Sequence, residues 1–232
     1  MTAGTSRPAL RAAALALLAC AAPLLSTAEA GPAQGPTVAK AAVAVPPDLA
    51  PSIASVLAPE AVTVTTSSAK IEFWWVRALQ LPAAANGAPS WADVPAGALV
   101  GALRVSTPMS DIRGYTVRPG TYTLRFALQP QNGDHLGISP NREFLLLGPA
   151  ADDRTADPAG YDGAVALAKK TSHRAHPAAL SIDPPVSSAA PLSTSTNDLG
   201  LQIVTMSVPA SIAAGAMPPL TFGLAVEGTI EH

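Results

Sequence analysis

The residues with the most evident chemical potential are four histidines, two of which lie three positions apart. His173 and His176 form the sequence His-Arg-Ala-His, directly after a segment that favours a helix. Imidazoles at positions i and i+3 of a helix or turn can face one side, as zinc and copper sites require. Such a site needs three or four ligands, so His135, Asp134 or a methionine would have to join the pair through folding. The alternative is that all three are ordinary loop histidines.

A polar turn at residues 132–137 is the densest group of polar side chains, but its spacing does not indicate catalysis. Asp134 and His135 are adjacent, so their side chains diverge in an extended turn. Ser139 follows without the Gly-x-Ser-x-Gly sequence that presents a nucleophilic serine in many hydrolases. We interpret the segment as an Asx-type turn. The sequence has no phosphate-binding loop or dinucleotide fingerprint either, so no catalytic or cofactor-binding residue is assigned.

Three tryptophans offer another kind of site, because flat aromatic faces can stack on the rings of sugars. Trp74 and Trp75 are adjacent in a strand-like segment, and Trp91 follows a turn that contains glycine. With 4% aromatic residues in the chain, the tryptophans are needed to fill the core, which is the interpretation that we favour. A sugar-binding platform is the alternative.

Alternating apolar and polar residues predict a mostly β domain that positions these side chains. β-Branched and aromatic residues recur with a period of two, and Gly and Pro separate the segments. The run Phe-Leu-Leu-Leu predicts one strand that is buried on both faces. One helix is predicted near residues 161–171, with Asp157 as its N-cap and Pro158 at its first position. Seven strands are predicted, at residues 61–67, 70–77, 99–105, 121–128, 143–147, 199–208 and 220–230.

Residues 117–122, Val-Arg-Pro-Gly-Thr-Tyr, resemble the tyrosine corner of Greek-key β-sandwiches. The resemblance implies that Pro119 and Gly120 turn the chain and that the Tyr122 hydroxyl donates to an upstream backbone group. We therefore expect an all-β fold, an immunoglobulin-like, Greek-key β-sandwich of about seven strands with one short helix. The chain departs from immunoglobulin domains in lacking their cysteine pair.

Residues 1–30 have the layout of a secretory signal peptide. Arg7 and Arg11 precede an apolar run at residues 12–25, and a small-residue sequence ends at Ala30. We therefore predict export to the periplasm or the extracellular space, with cleavage after Ala30. No later apolar run is long enough to span a bilayer, so no transmembrane span is expected in the mature chain.

Two further sequence features bear on export. Cys20, the single cysteine, ends a Leu-Leu-Ala-Cys sequence that resembles a bacterial lipobox, so a lipid anchor at this residue is the alternative to cleavage after Ala30. Residues 119–137 and 141–147 together are similar to exported bacterial proteins of no assigned function. That resemblance implies export and a β fold, but no reaction.

The domain organisation and the net charge limit the classes of function that we expect for the protein. Residues 31–59 are predicted to form a Pro/Ala-rich, disordered linker, and residues 60–232 the β-sandwich domain, in which residues 184–197 form an exposed loop. A formal net charge of −2 argues against a nucleic-acid partner, because binding phosphates needs a basic face. We expect an exported, non-catalytic binding or accessory protein whose partner is an unknown protein or envelope component. The alternatives are a periplasmic copper- or zinc-binding protein and a cell-wall or carbohydrate hydrolase.

The export prediction can be tested on the native protein. Sequencing its N-terminus should find Gly31 or a near neighbour, because signal peptidase cuts after a small residue. An unprocessed Met1 would contradict export, and a lipidated Cys20 would establish the anchored alternative.

Overall fold

The structure is a computed structural model that describes residues 1–2, 4, 35–82, 89–130, 141–184 and 190–230. Cys20 and most of the predicted signal peptide lie outside the described residues, as do His135 and the rest of the turn at residues 132–137. All the elements named below belong to the unit Gln34–His232, which is mostly β. No helix in the described part of the chain is both long and apolar enough to cross a bilayer.

The described residues form thirteen strands and three helical segments. The strands are β1 (Thr37–Ala41), β2 (Ala61–Thr65), β3 (Lys70–Trp75), β4 (Leu79–Gln80), β5 (Leu99–Val105), β6 (Met109–Ser110), β7 (Thr116–Val117), β8 (Gly120–Leu128), β9 (Glu143–Pro149), β10 (Ala179–Asp183), β11 (Thr194–Thr196), β12 (Gln202–Ile212) and β13 (Gly215–Glu227). The helical segments are α1 (Pro51–Ala54), a 3-10 turn at Trp91–Asp93 and α2 (Gly160–Ser172).

Eleven of these strands form one curled sheet. Its order is β1-β2-β3-β5-β8-β9-β10-β13-β12-β11, and β4 pairs with β12 as the one parallel neighbour among the described strands. β10 joins the two parts of the sheet, because Ala179 to Ser181 pair with β9 whereas Ile182 and Asp183 pair with β13. The sheet curls enough that Trp75 of β3 meets Phe222 of β13, with their ring centroids 5.6 Å apart.

The inner face of the curled sheet holds the main core. Along β8 the side chains alternate, with Tyr122, Leu124 and Phe126 in the main core and Thr123 and Arg125 on the outer face. This is the period of two that the sequence predicts. β9 is buried on both faces, as its Phe-Leu-Leu-Leu run predicts: its leucines alternate between the main core and a second, outer cluster.

The mostly β fold is confirmed, but its strand composition differs from the prediction. Each of the seven predicted strands has a counterpart, and six more are present: β1, β4, β6, β7, β10 and β11. Instead of a seven-stranded sandwich, eleven of the thirteen strands build one sheet, and β6 and β7 pair with each other in a second, two-stranded sheet. Four of the additional strands have only two or three residues, which is too short for an alternating pattern to be distinctive.

The predicted linker differs from the structure over much of its length. β1 and α1 both lie within residues 31–59, and β1 pairs with β2 along all five of its residues. Leu49, Ile53 and Leu57 are at most 5% exposed and belong to the main core. All three lie in or close to the short helix, so apolar burial outweighs the flexibility that the prolines suggest.

The tyrosine-corner residues have part of the geometry that the resemblance implies: Pro119 lies in a bend, but Gly120 is already the first residue of β8 and pairs with Val105. The Tyr122 hydroxyl donates to the Arg118 carbonyl at 2.8 Å, and the side chain is 7% exposed. Burial raises the pKa of Tyr122, and the positive charge of Arg118 partly offsets that rise. The phenol is therefore favoured over the phenolate in the folded protein.

Replacing Tyr122 with Phe should lower the free energy of unfolding by about 1–3 kcal/mol, because the Arg118 carbonyl loses its donor. Tyr122→Ala should cost about 3–5 kcal/mol, because it also opens a cavity. The raised pKa adds a pH dependence: its stabilising contribution is present below the unfolded value of about 10 and is lost as the pH rises through the folded value. Urea unfolding at neutral and alkaline pH measures both effects. A Tyr122→Phe variant within about 0.3 kcal/mol of the wild type would contradict the hydrogen bond's role.

Candidate functional site

The two described histidines do not share a helical face. α2 ends at Ser172, and His173 caps it in the left-handed conformation, with a φ of 52°. His176 lies three residues further on in an exposed turn, where its carbonyl accepts a hydrogen bond from the Ser172 hydroxyl at 2.6 Å. Within the described ranges no three His, Cys, Asp or Glu side chains lie close enough to hold a metal ion. A metal site that uses His135 therefore stays a prediction, since that residue is outside the described part.

The tryptophans are packed in the core rather than displayed on a flat surface. Trp74 is fully buried and donates from Nε1 to the Val43 carbonyl at 3.0 Å, and Trp75 is 6% exposed. Trp91 is partly exposed, but its ring stacks on Phe126 at 5.0 Å. The rings of Trp74 and Trp75 are therefore too buried to stack on a sugar, which agrees with the interpretation that tryptophan fills the core.

A cleft of about 400 Å³ lies between α2 and the outer face of the sheet. Its floor is apolar and comes from three neighbouring strands: Ala127 of β8, Phe144 and Leu146 of β9, and Ala179 of β10. Outward side chains of an antiparallel sheet are commonly polar, so an apolar outer face requires a cover. α2 covers only part of this face and leaves the cleft beside it.

The residues of α2 divide between the sheet and the cleft. Ala164 and Ala168 are buried in the outer cluster, and their small side chains let the helix lie close to the strands. One wall of the cleft is formed by Tyr161, Val165 and Lys169. These residues are spaced four apart in α2 and therefore lie on one side of the helix. We call these three residues the cleft stripe of α2.

Two glycines permit the close approach of α2. A Cβ at Gly148 of β9 would lie 2.9 Å from Thr123 Oγ1 and 3.2 Å from the Leu167 Cβ, so a larger residue would push the helix outward. A Cβ at Gly97 would lie 2.3 Å from the carbonyl oxygen of Gly160, the first residue of the helix. Both ends of the contact thus depend on the absence of a side chain.

Charged groups border the cleft at both ends of the stripe. Asp162 lies beside Tyr161 at the start of α2, and Lys169 and Arg113 line the other end. Burial and, to a smaller degree, the negative charge of Asp162 raise the pKa of Tyr161, so its hydroxyl stays protonated and can donate. Arg113 is oriented by the fully buried carboxylate of Asp111, which it contacts at 2.7 Å.

A buried ion pair sets the position of α2. Arg125 is 1% exposed on the outer face of β8, where Nε and Nη2 each donate to the Asp153 carboxylate at 2.7 Å. Nη1 donates to the carbonyls of Gly97 and Asp157, and Nη2 also donates to that of Thr155. These bonds use all five guanidinium N–H groups and fix the loop that leads into the helix.

This loop also explains why the predicted N-cap is wrong. The residue before α2 is Ala159, which makes no side-chain cap, and its N–H donates to the Gly97 carbonyl at 3.1 Å. The carboxylate of Asp157 instead accepts from the Thr155 hydroxyl at 2.9 Å. Arg125 holds the Asp157 carbonyl two residues before the helical boundary, so Asp157 cannot occupy the capping position.

Sequence reasoning missed both the cleft and the buried pair. The signal for the pair was an arginine in the middle of an otherwise alternating strand, followed by the acidic pair Asp152 and Asp153. The cleft had a weaker signal, the spacing of the α2 stripe beside a strand with two apolar faces. No model of a known family matches the chain, and neither a curated protein nor a solved structure does.

Removing the Asp153 carboxylate should be far more destabilising than removing its neighbour. Asp153→Ala leaves the Arg125 charge buried and unpaired, which costs about 3–5 kcal/mol. Asp152 pairs with Lys170 at 2.9 Å, but their side chains are 41% and 56% exposed, so Asp152→Ala should cost less than about 1 kcal/mol. Urea unfolding of the two variants measures the difference. Equal losses would contradict the central role of the Arg125–Asp153 pair.

Proposed function

We propose that the protein is an exported, non-catalytic binding protein that holds its ligand in the cleft beside α2. The observation that carries the proposal is the apolar floor of this cleft, to which three strands contribute side chains. A volume of about 400 Å³ is within the range of ligand pockets, roughly 300–1,000 Å³. Pockets of this kind combine an apolar lining with a few polar groups that orient the ligand, as Arg113, Tyr161 and Lys169 can do here.

Binding suits the chemistry of the cleft better than catalysis. Among the described residues that line it there is no serine, threonine or cysteine, the usual covalent nucleophiles. His176 also lines the cleft, and a metal-binding role would require a third ligand to join it and His173. Within the described ranges no group of three potential ligands lies together.

Export and the fold family are parts of the same proposal. Export is supported by the Arg7/Arg11 region, the apolar run that follows it and the small residues up to Ala30. A relation to the immunoglobulin-like, Greek-key fold is supported by the hydrogen bond from Tyr122 to Arg118, although one sheet of eleven strands departs from the seven-stranded form. In the periplasm or outside the cell, the cleft would take a small envelope component.

The cleft can be tested by filling it. Val165 is in the middle of the cleft stripe, so Val165→Trp should occupy the space and abolish most of the fluorescence increase of the uncharged dye Nile red. Ala166→Trp is the matched control, because Ala166 is exposed and does not line the cleft. Urea unfolding should show that both variants are folded. If folded Val165→Trp binds the dye as the wild type does, the cleft is not the binding site.

A further inference from the structure

The geometry points to an amphipathic anion as the ligand class: a hydrocarbon body with one carboxylate, lying along α2 with its anionic group at the Lys169 end. This inference rests on the proposed function and deepens it. Three features of the cleft support it: the opposite charges at its two ends, the hydrogen-bond donors at its basic end and its apolar floor.

The cleft is electrically polar along its length. Asp162 lies at one end of the α2 wall and Lys169 at the other, seven residues apart, which is about 10 Å along a helix. A carboxylate at the Asp162 end would face a like charge, whereas at the Lys169 end it faces an opposite one. Each side-chain charge is larger than the opposing partial charge of about half a unit at that end of the helix, so together they favour one orientation for a ligand that has a single negative group.

Lys169 is the cation best placed to receive that group. It lines the cleft and forms no salt bridge with any described residue. Lys170, the next residue, does not line the cleft and pairs with Asp152 at 2.9 Å. The two lysines thus differ in the one respect that matters for a ligand, which makes Lys170 a matched control for Lys169.

Arg113 adds a second donor at the same end. Its Nε and Nη2 atoms donate to Asp111, and Nη2 also donates to the Pro177 carbonyl. Nη1 forms no hydrogen bond within the described part of the chain, so one edge of an already oriented guanidinium is left for an acceptor. Because Asp111 holds the side chain in place, little conformational entropy is lost when an anion binds.

The surroundings of Arg113 favour negative charge further. The guanidinium of Arg174 lies 4.8 Å from the ring centroid of Tyr115, and that of Arg113 lies 5.0 Å from the same centroid. Arg174 makes no salt bridge within the described ranges. This end of the cleft is thus locally basic in a chain whose formal net charge is −2.

The apolar floor accounts for the hydrocarbon body. Phe144 and Leu146 supply the largest apolar groups of the floor, and Val165 faces them from α2. A free inorganic anion would use only the basic end and would not contact this floor. Burying methylenes on it adds affinity in proportion to the apolar area removed from water.

Isothermal titration of the full-length protein at low ionic strength tests the inference with three probes: decanoate, 1-decanol and acetate. Decanoate should bind most tightly, about fivefold more tightly than decanol, which is the effect of one partly exposed ion pair. Acetate should not bind measurably. Lys169→Gln should reduce the preference for decanoate over decanol, with Arg113 retaining part of it, whereas Lys170→Gln should leave it at the wild-type value. Added salt should reduce the preference in the wild type.

The outcomes separate this inference from the proposed function. If decanol and decanoate bind equally in the wild type and Val165→Trp abolishes both, the cleft binds ligands but the anion inference is overturned. If Val165→Trp leaves both affinities unchanged, the proposed site itself is wrong. Equal effects of Lys169→Gln and Lys170→Gln on decanoate would also overturn the inference, because only Lys169 lines the cleft.

Discussion

The contact between Arg125 and Asp153 is the interaction on which the rest of the outer face depends. Taking a guanidinium out of water costs several kcal/mol, and that cost is offset only when every N–H group has an acceptor. Here the acceptors are the Asp153 carboxylate and the carbonyls of Gly97, Thr155 and Asp157. A charge that must be satisfied in this way dictates the path of the loop before α2. The helix therefore begins where the guanidinium allows it, next to Gly97.

From that starting point the cleft follows as a geometric result. The outer face of β8 is polar at Thr123 and Arg125 and apolar at Ala127, so the loop covers one part of the sheet and leaves the other to α2. Ala164 and Ala168 bring one side of the helix down to the strands. The adjacent side carries larger residues that stand beside the sheet rather than on it. The small residues determine how closely α2 approaches the sheet, and the larger residues beside them form the wall of the cleft. A cavity remains between that wall and the strands.

The sequence predicted what local periodicity controls and missed what distant contacts control. Alternation identified all the long strands, and the motif ending at Tyr122 gave the hydrogen bond to Arg118. Strands of two or three residues, such as β4 and β11, exist because a neighbour pairs with them, and no short pattern encodes that. The linker prediction gave proline more weight than the apolar spacing of Leu49 and Ile53. The capping prediction at Asp157 was overridden by Arg125, a residue far away in the chain.

β10 has a place in the architecture that no other described strand shares. It joins the two parts of the curled sheet, and its first residue, Ala179, also lies in the floor of the cleft. The same strand therefore contributes to the cleft floor and to the junction between the two parts of the sheet, and only a short turn separates it from α2. A molecule that binds only the folded form would stabilise the whole sheet by mass action. The reason is that unfolding of β10 would disrupt both the cleft floor and the junction between the two parts of the sheet. Ligand binding in the cleft would thus raise the melting temperature of the entire domain rather than only reduce the mobility of one helix.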